Sequence, residues 1–165
     1  MTTKTIEQSI EIEVPASTAY NVWTQFELFP HFMEGVHEVR QKDDRHLHWC
    51  AEVGGKVEEW DAEITEQIPD KRIAWRSQGG ATNAGVVTFH RLSDARCRVM
   101  LQLEYAPETV GEKIGDILGV LSRRVAGDLK RFKEFTEARG ATLGSQGWRG
   151  EIPAKPDAGV RRDRF

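Results

Sequence analysis

The chain has little cysteine, few aromatic residues and no long apolar run, and each shortage excludes something. With only Cys50 and Cys97 in 165 residues, no disulfide framework can carry the fold, and two thiols suit a reducing compartment. No stretch approaches the roughly 18 apolar residues of a membrane-spanning helix. The opening MTTKTIEQS lacks the apolar core of a secretion signal, so a cytoplasmic protein with no membrane span is expected. There is no cationic excess either. With 23 Lys and Arg against 26 Asp and Glu, the formal charge is -3 and the pI about 6.0, which argues against a general nucleic-acid surface, since that needs clustered cations to displace counterions from phosphates.

What is present suffices for one domain: 39% of the residues are apolar, enough for a sizeable core at this length. Residues 6 to 14 put Ile6, Ile10, Ile12 and Val14 on one parity and Glu7, Glu11 and Glu13 on the other, the period of a half-buried strand. Pro15 ends it. In PASTAYNVWTQF, Ala19, Val22, Trp23 and Phe26 recur at spacings of three and four, which predicts a short amphipathic helix. A second short helix is expected through FELFPHFMEG, ending at Gly35, where Phe26, Leu28, Phe29, Phe32 and Met33 crowd around Pro30 in a chain that is only 8% aromatic.

From Val36 to Pro107 the period is two, with turn signals every eight to fourteen residues, which predicts six further strands in an antiparallel meander. HLHWCAEV turns Leu47, Trp49, Ala51 and Val53 to one face. After Gly54-Gly55, KVEEWDAEITEQI turns Trp60, Ala62, Ile64 and Ile68 inward. Ile73 and Trp75 share a face, as do Val87 and Phe89 with Arg91, while Cys97, Val99, Leu101, Leu103 and Tyr105 alternate with Arg98, Met100, Gln102 and Glu104. Beyond Pro107 a long helix is predicted from Ile114, Leu118, Leu121, Val125, Leu129 and Phe132, closed by Gly140. The expected division is a domain over residues 1–140 and a flexible tail over 141–165, rich in Gly, Pro and charge.

This order of elements is an α+β chain in which a seven-stranded curved antiparallel sheet must bury one face, and the terminal helix carries the long apolar stripe available to cover it. That helix includes Gly111, Gly115 and Gly119 at intervals of four, each costing up to ~1 kcal/mol against alanine. Two readings offset the cost. The strip leaves room for a ligand, or it lets the sheet or the short helices approach closely.

The pattern SIEIEVPASTAYNVWTQFELFPHFMEGVHEV, followed by WDAEITEQIPDKRIAWRS, GVVTFHRL and DLKRFKEFTEARG, resembles the START-like superfamily, also called SRPBCC, within its polyketide cyclase/dehydrase-like branch, and is also similar to coenzyme Q-binding START-type proteins. The resemblance covers about residues 4 to 140. It implies the helix-grip fold and a cavity between sheet and long helix for a hydrophobic small molecule that is polyketide-, lipid- or quinone-like. In that setting Phe29, Phe32 and Met33 form an apolar lid, and Phe26, Trp49, Trp60, Trp75, Phe89, Arg91, Tyr105, Gly115, Leu118 and Gly119 join them around the ligand. A core plug is the alternative for the lid residues.

Chemistry stays open at this level. The resemblance implies an arginine and a tyrosine in true cyclases, and the corresponding positions fall near Gln67 and Val36, which leaves cyclase/dehydrase-type activity undecided. His46, His48 and Cys50 share a strand face but lack a fourth ligand, so no metal site is expected. GGATNAG lacks the GK[ST] ending of a phosphate loop, and no cofactor is expected. A protein-interaction or chaperone-like module on the same fold is the other functional class, and the oligomeric state is not legible.

Overall fold

The computed structural model describes residues 4–53, 55–78, 82–106 and 114–154, with side chains at all of these except positions 4, 53, 82, 105, 106 and 114–118. Strand β1 (Lys4–Ile12) is followed by helix α1 (Ala16–Trp23) and a 3₁₀ turn (Phe26–His31). Strands β2 (Val36–Gln41), β3 (His46–Val53), β4 (Lys56–Ile68), β5 (Arg72–Gln78), β6 (Thr82–Ser93) and β7 (Arg96–Ala106) come next, and α2 (Ile114–Leu143) closes the order. The strands form one antiparallel sheet in the order β1-β7-β6-β5-β4-β3-β2. Among the described residues this is the expected helix-grip arrangement.

Turn chemistry sets the register. The two-residue loop after Val53 pairs Val53 with Lys56, and every later β3–β4 pair follows, so Trp49 must face Trp60. One break in the period-2 rule reaches the core. A bulge between Ile64 and Glu66 shifts the β4–β5 register and buries Gln67, 1% exposed, at the step where strict alternation would bury Ile68. Ile68 is only half-buried there.

Half of the space between sheet and α2 is filled by rings. Trp23, Phe26, Phe29, Phe32 and Phe132 are all at most 4% exposed. They meet edge-on with ring centres 5.0 to 5.5 Å apart along Phe26–Phe29, Phe29–Trp23, Phe29–Phe32, Phe32–Phe132 and Trp23–Phe132, the geometry that the aromatic quadrupole favours.

The end of the helix differs from expectation. Gly140 does not close α2 but lies inside it, fully packed, where an added Cβ would come 2.9 Å from Thr18 Cγ2 of α1. The helix continues to Leu143. Carbonyls at its end are then taken by α1 and the residues just after it: Gln25 Nε2 donates to Leu143 O (2.8 Å) and Asn21 Nδ2 to Gly144 O (2.7 Å). The tail expected to be flexible from residue 141 is docked as far as Ile152. Ile152, 3% exposed, exchanges two 2.8 Å backbone hydrogen bonds with Gln67. Arg149 donates to Asn21 Oδ1 (2.6 Å) and Asp70 Oδ2 (2.9 Å) and lies over the Tyr20 ring. A docked segment needs only one well-placed apolar anchor and backbone partners, and neither shows as periodicity.

Candidate functional site

The other half of the interior is open. A cavity of about 210 Å³ lies between the concave sheet face, the 3₁₀ turn and α2. Its inner wall is apolar: Leu47, Ile64, Ile73, Leu101 and Val125 are buried lining residues, and no buried lining residue is polar.

Three tryptophans on consecutive strands shape this wall. Trp49 and Trp60, paired across β3 and β4, stack with ring centres 5.8 Å apart and planes within 6°. Trp75 faces Gly85 across β5 and β6, and the indole lies so close that a Cβ on Gly85 would stand 2.5 Å from Trp75 Cζ2. Gly85 therefore lets the ring lie down on the sheet. Any larger residue there would push the indole off the strand.

The polar lining residues, Glu34, Asn83, Glu104, Arg124 and Asp128, are all at least partly exposed. Those on α2 hold the segment between the 3₁₀ turn and β2. Asp128 Oδ1 accepts from the Glu34 backbone N–H (2.9 Å) and from Arg131 Nη2 (2.6 Å). Arg131 Nε donates to Phe32 O (2.9 Å). Arg124 Nη1 donates to Glu52 O (2.9 Å), and Glu52 N–H donates to Gly35 O (2.7 Å). Burial pushes the Asp128 carboxyl above the usual carboxylate range, while the Glu34 amide and Arg131 pull it back part of the way.

Of the residues expected at the site, Phe26, Phe29, Met33, Trp49, Trp60 and Trp75 line the cavity. Phe32 does not. It is buried behind the wall, between Phe29, Phe132 and Phe135. Phe89 packs edge-on against Tyr20 and Trp23, also away from the cavity. Arg91 lies near the β6–β7 hairpin end, largely exposed and paired with Asp94. Its inward parity is undone by its place at the strand end, beside a register shift. At Gly119 an added Cβ would meet, among the described residues, only Arg123 Nη1 at 3.6 Å, and Gly119 is not among the residues that line the cavity. The side chains of Tyr105 and Leu118, and the surroundings of Gly115, lie outside the described residues, as does Gly111.

Sequence reasoning missed Arg124 and Asp128, which lie outside the apolar stripe of α2 that it read. They stand three and seven residues beyond Leu121, at the margin of the stripe that lines the cavity with Leu121 and Val125, and this spacing is the signal that could have found them. Among the described residues no cluster of His, Cys, Asp and Glu could hold a metal ion. His48 is instead pinned on the outer sheet face. Its Nδ1 lies 2.8 Å from Asp61 Oδ1 and its Nε2 2.8 Å from Glu59 Oε1. Carboxylates accept, so a protonated ring can donate to both, and these two bonds raise the His48 pKa. Burial pushes the Cys97 thiol up to about 11, which makes it inert as a nucleophile. No helix among the described residues is long and apolar enough to cross a membrane.

Residues 12–134 match the family described as polyketide cyclase/dehydrase and lipid transport. A 17.2 kDa uncharacterized protein from the melC2-rnhH intergenic region of Streptomyces lincolnensis is 55% identical over 148 residues, covering 89% of this chain and 97% of that one. The crystal structure of the Zhui aromatase/cyclase from a Streptomyces strain superposes with a TM-score of 0.71 at 14% identity, covering 89% of this chain and all (100%) of that one. A START superfamily protein from Mycobacterium smegmatis superposes at 0.67 with 14% identity, covering 79% and 97%. At such identities the two structures bear on the fold alone.

Proposed function

The chain belongs to the polyketide cyclase/dehydrase and lipid transport family, within the START-like superfamily, and from that premise we propose that it binds a small, flat, apolar molecule against the Trp49, Trp60 and Trp75 wall. The observation that carries this is the contrast between the two halves of one interior. Rings fill one half, while the other is left open although four indoles, Trp23, Trp49, Trp60 and Trp75, line it. An unfilled apolar void forfeits dispersion contacts, and a ligand restores them.

Volume limits the ligand. Sites that enclose a drug-sized molecule measure about 300–1,000 Å³, and this cavity measures about 210 Å³. It suits one or two fused rings, or the ring end of a longer molecule whose remainder leaves through the opening.

Binding is favoured over turnover because, among the described residues, the buried lining residues carry no acid, base or hydroxyl to steer an enolate. Gln67, at the position where the resemblance implied an arginine, is used structurally: it donates to Tyr20 Oη (3.0 Å) and pairs with Ile152. The protein-interaction reading has less support. The exposed large apolar side chains among the described residues, Val57, Leu92 and Val120, lie on three different elements, where a docking face calls for a contiguous patch. Native mass spectrometry of the protein purified from its own host tests the proposal. A bound apolar mass released on activation is expected; a bare polypeptide that also takes up no neutral naphthyl dye would overturn it.

A further inference from the structure

The exposed lining of the cavity beside α2 is fastened differently from its buried walls. Phe32 is locked among Phe29, Phe132 and Phe135, and Val36 begins β2. Between them lie Met33, Glu34 and Gly35. Met33 and Glu34 line the cavity, but neither is buried. Their attachment is polar. α2 reaches over with Asp128 to the Glu34 amide and with Arg131 to the Phe32 carbonyl, and Asp128 and Arg131 bind each other (2.6 Å). Gly35 ends the segment with φ +83°, a conformation side-chain-bearing residues rarely adopt. A Cβ there would also press to 3.0 Å on Arg124 Nη2 and 3.1 Å on Glu52 O.

Resting on the reading of the cavity as a ligand site, we propose that Met33–Gly35 is the flap through which ligand passes, hinged at Gly35 and latched shut by Asp128 and Arg131. Opening needs no rupture of the ring cluster. Opening releases the two backbone groups held by Asp128 and Arg131, one turn apart on α2, and breaks the backbone bonds from Met33 N–H to Phe29 O (2.8 Å) and from Val36 N–H to Met33 O (3.3 Å), so that Met33 swings out. The charged groups facing this latch are Glu34 on the flap itself and Arg124 on α2, and Arg131 also lies 3.8 Å from Glu34 Oε1. The latch is thus a network of alternating sign in which Asp128 is the shared acceptor.

Stopped-flow uptake and release of N-phenyl-1-naphthylamine, a neutral dye, tests the proposal. Arg131 does not line the cavity, so Arg131→Ala should raise uptake and release rates together, each on the order of tenfold for the loss of charge-assisted hydrogen bonds. Arg131→Lys, which keeps a donor, should restore part of the effect. Asp128→Asn, whose amide oxygen still accepts from Glu34, should lie between wild type and Asp128→Ala. Amide hydrogen exchange at Glu34 gives a second readout that needs no dye: it should accelerate in Arg131→Ala and Asp128→Ala, with the amides of β4 unchanged. If the wild-type protein takes up no dye, the binding reading falls and the flap with it. Uptake whose rates neither alanine variant changes overturns the flap alone.

Discussion

Trp75 and Gly85 face each other across β5 and β6 with the indole lying against the glycine backbone, so that a Cβ at Gly85 would stand 2.5 Å from Trp75 Cζ2 and 2.8 Å from Leu103 Cδ2. Both obstacles are side-chain ends, and both side chains line the cavity. In Gly85→Ala the ring is therefore displaced into the cavity. We expect a loss of about 1–3 kcal/mol in stability, the range for an overpacked core, together with a marked loss of dye affinity. Urea unfolding and a fluorescence titration measure the two; an unchanged affinity would show that the open space does not take the dye.

Gly119 makes the opposite case. With only Arg123 Nη1 near the place of its missing Cβ among the described residues, alanine should fit. Gly119→Ala should stabilise the protein by about 0.5–1 kcal/mol through helix propensity, with dye binding unaffected. A destabilised variant would mean that the glycine serves close packing after all.

Ile152 and Gln67 exchange two backbone hydrogen bonds at the bulge of β4, and this pairing ties the end of the chain to the core. Replacing Ile152, buried to 3% exposure, by alanine should cost about 2–5 kcal/mol, as for buried isoleucines elsewhere. Truncation after Leu143 should cost at least as much, because it also bares Tyr20 and removes Arg149 from Asp70. Unfolding curves of the two variants check this. Wild-type stability in the truncated protein would return residues 144–154 to the status of a mobile tail.

The His48 bridge makes stability depend on pH. Its folded-state pKa is raised above the ordinary value of 6.5 by Asp61 first and Glu59 second. Protonated His48 is therefore bound more tightly by the folded chain. The stabilisation is full below the unfolded value and disappears as pH rises through the folded one. His48→Gln should accordingly melt below wild type at pH 5.5, and the gap should close by pH 9. A gap that widens with pH would contradict the sign.

How far these relationships could be read from the residues depends on their range. Trp49 and Trp60 were legible as a pair because a two-residue turn and strict alternation leave one register. Ile68 was misplaced because a bulge inserts a residue with no signal in local composition. Gly140 read as a helix end, yet its small size serves a contact with Thr18, which is over a hundred residues away in sequence. The same holds for Asp128: a carboxylate at the edge of an apolar stripe looks solvated until the Glu34 amide is brought to it. Phe29 and Phe32 looked alike in FELFPHFMEG. The fold separates them, one onto the cavity wall and one behind it.

The most direct test follows the five indole N–H resonances during titration with N-phenyl-1-naphthylamine. Binding in the cavity moves Trp23, Trp49, Trp60 and Trp75, which line it, and leaves Trp148, on the docked segment outside it, in place. A spectrum in which none of the four shifts, or in which Trp148 alone responds, would contradict the account.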